Sequence, residues 1–356
     1  MGEAMKRTSQ LLVGSIPLRS ALDVFRTAAD YFGDNLAAMP DGEFGDRIWW
    51  HNYLARYAYH GHPDIKTIKR PAPIDGFPNW KPRDLSDMWL FEVQDGVASI
   101  KLPELGYAKW AAASYEPFSL LREEGKIPKS IKFQVNLPLT SSAIATFFHR
   151  PTDLSIMARA YEDAARREVA AILENVPARD LLILWDVCVE ILDLEGALPW
   201  MPSEGAMQRS AEGASNIVAK IPTDVAVGYH LCYGTLPRWP MVELRSIGTQ
   251  VALANALIER SGRPIEVLHL VIPKSPTGAF FDGADKLKTR GADLYLGLIH
   301  EDDSIEDNLA RVRMARKFLP SFGTSYVCGF GRRSLEDTKR LLSRHRDVAA
   351  ALAMES

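Results

Sequence analysis

The chain has 356 residues, 47% of them apolar, enough to bury a large core as one large domain or two ordinary ones. Lysine plus arginine number 42 against 45 for aspartate plus glutamate, a formal net charge of −3, so there is no electrostatic case for nucleic acid or an anionic membrane surface as partner. The opening MGEAMKRTSQLLVGSIP is too short in apolar residues for a signal peptide, no later stretch nears the roughly 20 apolar residues of a membrane span, and Cys188, Cys232 and Cys328 are too few for a disulfide framework. The expectation is a cytoplasmic protein with reduced thiols.

Short apolar runs rich in Val, Ile and Leu recur along the chain. In order they are LLVGSIP (11–17), LAAMPDG (36–42), IKFQVNLP (131–138), LLILWDVCVEIL (181–192), VAVGYHLCYG (225–234), IEVLHLVIP (265–273), ADLYLGLIH (292–300) and TSYVCGF (324–330). Segments of helical period lie between and after them: SALDVFRTAADYF, DLSIMARAYEDAARREVAAILEN, SAEGASNIVAKI, MVELRSIGTQVALANALIERSG, SIEDNLARVRMARKFL and SLEDTKRLLSRHRDVAAALA. Several open with Ser or Asp and carry acids in the first turn, which is N-terminal capping chemistry. Strand then helix, eight times, predicts an α/β protein, a single (β/α)8 TIM barrel over 1–356. The stretch 44–129 breaks the repeat with RIWWHNYLARYAYHGHPDIK, RPAPIDGFPNW and LPELGYAKWAAASYEPF. It is expected to be an aromatic-rich insertion after the second strand, lying over the barrel mouth.

Active sites of such barrels sit at the C-terminal ends of the strands, and the polar residues of the apolar runs collect there. The candidates for binding a substrate are Gly14, Ser15, Asp41, Glu43, Gln134, Asn136 and Arg332. Asp186 and Glu190, spaced along WDVCVE, and His300 are candidates for acid–base work. His230 and Cys232 are two apart and so share one strand face, and Cys328 follows the last strand. Thiol and imidazole suit zinc; alternating core residues would give the same spacing, and both readings stay open on spacing alone.

The order LLVGSIP, WDVCVE, VGYHLCYG, GLIHEDDSIEDNLARVRMARKFLP, YVCGFGRR resembles the catalytic domain of cobalamin-independent methionine synthase, within the superfamily that includes epoxyalkane:coenzyme M transferase and uroporphyrinogen decarboxylase. The resemblance implies a Zn2+ ion held by His230, Cys232 and Cys328, with Gly14 and Ser15 at the carboxylate of a thiol amino acid and Asp186 at its amino group. The family's glutamate ligand on the sixth strand falls near Val271 in this chain. His269, two residues earlier on the same face, is the expected substitute. The synthases' folate-binding half has no counterpart here, which implies a smaller donor.

The leading expectation is therefore a zinc-dependent methyl or alkyl transferase acting on a small-molecule thiol acceptor and an alkyl donor. The alternative is a lyase or hydrolase working on a small carboxylate or aromatic substrate in the same barrel, with Asp186 and Glu190 at work.

Overall fold

The computed structural model describes residues 9–71, 84–236 and 238–354. In chain order the elements are β1 (Gln10–Leu11), α1 (Ala21–Phe32), β2 (Ala38–Pro40), α2 (Trp50–Leu54), β3 (Ile65–Lys69), β4 (Leu90–Val93), α3 (Tyr107–Glu123), β5 (Lys132–Pro138), α4 (Thr140–Ile144) and α5 (Pro151–Asn175). They continue with β6 (Leu181–Val187), α6 (Val189–Leu194), α7 (Ala206–Asn216), β7 (Ala226–Leu231), α8 (Gly248–Ser261), β8 (Val267–Val271), β9 (Asp293–Ile299), α9 (Ile305–Arg316), β10 (Gly323–Tyr326) and α10 (Leu335–Met354). Ser20, Ser304 and Ser334 each accept from the backbone N–H three residues on, at 3.1, 3.1 and 3.0 Å, which sets the starts of α1, α9 and α10.

Eight strands pair in parallel in the order β1-β10-β9-β8-β7-β6-β5-β2. The two edges meet at Gln10, which bridges Leu36 and exchanges hydrogen bonds of 2.7 and 3.0 Å with Asn35 and Ala37. This is the (β/α)8 barrel that the strand–helix repeat predicts. Side chains of alternate residues fill it. A lower apolar layer holds Leu11, Ala38, Leu182, Leu184, Ala226, Val267 and Tyr295. Nearer the C-terminal ends of the strands the interior turns polar, with Gln134, Asn136, Asp186, His230 and His269 all buried.

Between β2 and α3 the chain makes a 3-10 turn (Gly45–Trp49), α2, a π-helical turn (Ala55–Tyr59) and the antiparallel hairpin of β3 with β4. Its aromatic side chains hold this crossover together and tie it to the residues after β5. Tyr59 donates to Ala143 O at 3.0 Å, Trp89 donates to Asn52 Oδ1 at 2.7 Å, and Phe91 packs at 5.8 Å on Phe148. Most of RPAPIDGFPNW falls in 72–83, outside the described residues.

Two expected elements are shorter than the sequence suggests. WDVCVE is not one strand: β6 stops at Val187 and α6 begins at Val189, because the Ser142 hydroxyl accepts from the N–H groups of both Cys188 and Val189 at 3.0 Å. The helix expected from Met241 begins at Gly248, since Met241 N–H is tied to Tyr233 O at 2.9 Å and Ile247 N–H to Phe280 O at 2.8 Å. No helix among the described residues is long and apolar enough to cross a membrane.

Candidate metal centre and pocket

His230 is an inward-facing residue of β7, Cys232 follows one residue past its end, and Cys328 lies two residues past β10. Their ligand atoms all lie within 4.8 Å of one another, with the two sulfurs 3.5 Å apart. The thiols hold on to their protons in this arrangement. Cys232 is pushed well up first by its contact with Cys188, and Cys328 by Cys232 and then by burial. A dication would reverse that balance.

The imidazole beside them has a defined tautomer. His269 Nε2 lies 3.2 Å from Tyr326 O, a pure acceptor, so that nitrogen carries the proton. His269 Nδ1 is then a lone pair and accepts from His230 Nδ1–H across 2.7 Å. His230 Nε2 is left as a buried lone pair with no hydrogen-bond partner. Burial, followed by the neighbouring His230, holds His269 well below the usual histidine range, as neutrality requires. A buried, unpartnered imidazole nitrogen beside two thiols is the donor set zinc prefers, so these residues fit the metal.

The same geometry corrects the role expected for His269. It faces inward with Val271, but both of its nitrogens are engaged and it sits behind His230, outside the donor cluster. Gly297 makes room for it. A Cβ there would stand 2.8 Å from the His269 ring.

The cluster opens onto a pocket lined by Ser15, Glu43, Asp186, Cys188 and Arg332 from the strand ends, and by Ile48, Trp49, Trp50 and His51 from the crossover. Ser15 Oγ donates to Glu43, whose carboxyl burial pushes up to about 7 despite that bond. Burial and the neighbouring Glu43 hold Asp186 well above the usual carboxylate range. Arg332 donates from Nε to Thr235 Oγ1 at 3.1 Å. Trp50 and His51 stack at 3.4 Å, and burial, then Arg332, lowers His51 to about 3.

The fold is shared with solved methionine synthases. A B12-independent methionine synthase from Shewanella sp. W3-18-1, in complex with selenomethionine, superposes over 98% of this chain and 99% of its own, with a TM-score of 0.62 and 14% identity. A putative vitamin-B12-independent methionine synthase from Listeria monocytogenes covers 99% of each chain, with a TM-score of 0.58 and 12% identity. No family model and no curated protein matches the chain. At such identities the likeness speaks for the barrel and its topology.

Several candidates lie away from the pocket. Asp41 is bound up with Arg47 at 2.7 Å and Ser114 at 2.8 Å. Gln134 and Asn136 brace the first strand, donating to Leu12 O and Val13 O at 2.9 and 3.1 Å, and Gly14 (φ 122°) packs directly on Asn136. Glu190, on α6, accepts from the Ser142 backbone and hydroxyl at 3.0 and 2.5 Å and does not line the pocket. His300 faces another groove, with Nε2 on Ile272 O at 3.0 Å and its ring 5.3 Å from Trp239. His51 and Thr235 line the pocket without having been singled out in the sequence; neither sits in a motif, and only the folded crossover and the loop after β7 bring them there.

Proposed function

We propose that this chain is a zinc-dependent transferase that moves a methyl or other alkyl group from a small donor to a thiol acceptor. The observation that carries the reading is the donor cluster of Cys232, Cys328 and the unpartnered His230 Nε2 at the floor of the pocket. His230, Cys232 and Cys328 would hold the ion, whose bound chemistry is to stabilise a substrate thiol as thiolate. Around it the chain's own groups bind and orient. Ser15, Glu43 and Asp186 face the cavity from one side and suit a substrate ammonium. An arriving cation favours ionisation of both raised carboxyls. Arg332 offers a guanidinium to an anionic group on the same substrate. Glu43, half-ionised near neutrality, is placed to take up a proton at Oε, and the Trp50–His51 stack walls the cavity with flat surface for the donor.

The test is metal content followed by thiol binding. Protein purified without chelators is expected to carry close to one zinc per chain, lost in Cys232→Ser or Cys328→Ser. Homocysteine and 2-mercaptoethanesulfonate are then titrated by calorimetry in two buffers of different ionisation enthalpy. Binding with proton release supports the reading. Folded, metal-free protein that binds neither thiol sinks it and favours the second reading, lyase or hydrolase chemistry. The neighbouring, raised carboxyls of Glu43 and Asp186 would serve that chemistry without an ion.

A further inference from the structure

Three donors leave one position of a tetrahedral zinc site without a protein ligand. Among the described residues the donor cluster holds no carboxylate, and Val271 and the doubly engaged His269 offer nothing from β8. The chain's third thiol is close by. β6 and β7 pair with Asp186 opposite His230 and Val187 opposite Leu231, and Cys232 N–H donates to Val187 O at 3.3 Å. Cys188 and Cys232 are therefore the residues that immediately follow the last pair of the two strands. Their sulfurs flank one residue: Cys188 Sγ lies 3.3 Å from where a Cβ on Gly234 would stand, and Gly234 N–H donates to Cys232 Sγ at 3.3 Å. Cys188 also lines the same pocket.

We infer that Cys188 is the fourth protein ligand of this metal centre, giving a resting site of three thiolates and one imidazole. The inference rests on the zinc reading above. The Cys188 backbone is held in place, since its N–H donates to Ser142 Oγ at 3.0 Å, so the one freedom that matters is χ1. Cys188 Sγ stands outside the group formed by His230, Cys232 and Cys328; a change of rotamer moves a cysteine sulfur by about 3 Å, and ligation requires that step. Of the pocket's polar groups it is the soft donor, matched to the two thiolates already there, whereas Asp186 and Glu43 are hard oxygen donors. A third thiolate ligand also accounts for a thiol at a position where an acid–base or binding role would call for an oxygen or nitrogen group.

X-ray absorption on the zinc-loaded full chain counts the sulfurs. Three at about 2.3 Å with one nitrogen near 2.0–2.1 Å are expected, falling to two sulfurs in Cys188→Ser. In the cobalt-substituted protein the thiolate-to-metal charge-transfer band should lose about one third of its intensity in the same variant. Differential alkylation with peptide mapping provides a readout in the unaltered chain, with Cys188 protected by the metal and modified by iodoacetamide after chelation. Two sulfurs in the native protein, spectra unchanged by Cys188→Ser, or Cys188 modified equally with and without metal would each overturn the inference while leaving a three-ligand zinc site standing. A chain that binds neither zinc nor cobalt overturns the zinc reading and this inference together.

Discussion

Replacing His269 with alanine removes the acceptor that keeps a proton on His230 Nδ1, and with it the preference for a lone pair on Nε2. Loss of such an orienting partner typically weakens metal binding 10–100-fold. That shift is expected for zinc in competition with a chromophoric chelator, with all three donors of the cluster intact. Glu43 makes a different prediction, about pH. Its carboxyl is raised from 4.5 to about 7 in the folded chain, so between those values the native state binds more protons than the unfolded state. Stability from this group is then greatest at low pH and is lost as pH rises toward 7, by of order 3 kcal/mol for the full shift. Glu43→Gln removes the titration, and thermal melts between pH 5 and pH 8 should show a shallower decline than the parent. An equal or steeper decline would refute the assignment.

At the scale of the element, Gly297 on β9 is the clearest test of how the strands set the site. A Cβ there meets the His269 ring and Tyr326 O at 2.8 and 3.0 Å, so Gly297→Ala should cost about 1–3 kcal/mol and push His269 toward His230. Chemical denaturation measures the first effect, and zinc affinity, expected to fall, the second. Much of this layer could be read in the sequence because it depends on local period. The alternation of His230 and Cys232, the apolar strands, and the Ser-capped helices α1, α9 and α10 all follow from residues near one another in the chain. The misreadings come from distant partners. Nothing within WDVCVE announces that Ser142 will cap a helix at Val189, which removes Glu190 from the strand face and turns its carboxyl to Ser142. His269 shares a strand face with Val271, but two residues along a strand is about 7 Å of depth. At that depth its ring meets the back of His230 and not a metal.

For the whole molecule, an ion that binds only the native barrel adds to global stability, by about 2.7 kcal/mol when free zinc stands at 100 times its dissociation constant. Chelation should lower the melting temperature by several degrees, and zinc should restore it. Cys232→Ser should melt at one temperature regardless of either treatment, which ties the gain to this cluster and not to adventitious surface binding. The barrel also draws its donors and one wall of its pocket from separate stretches of chain. His230 lies in β7 and Cys232 and Cys328 follow β7 and β10, while Ser15, Glu43, Trp50 and His51 come from the loops after β1 and β2 and the long crossover. Selection can act on one stretch and spare the other. A descendant that exchanged the crossover for a different one would keep the three donors in register while presenting a different wall to whatever enters.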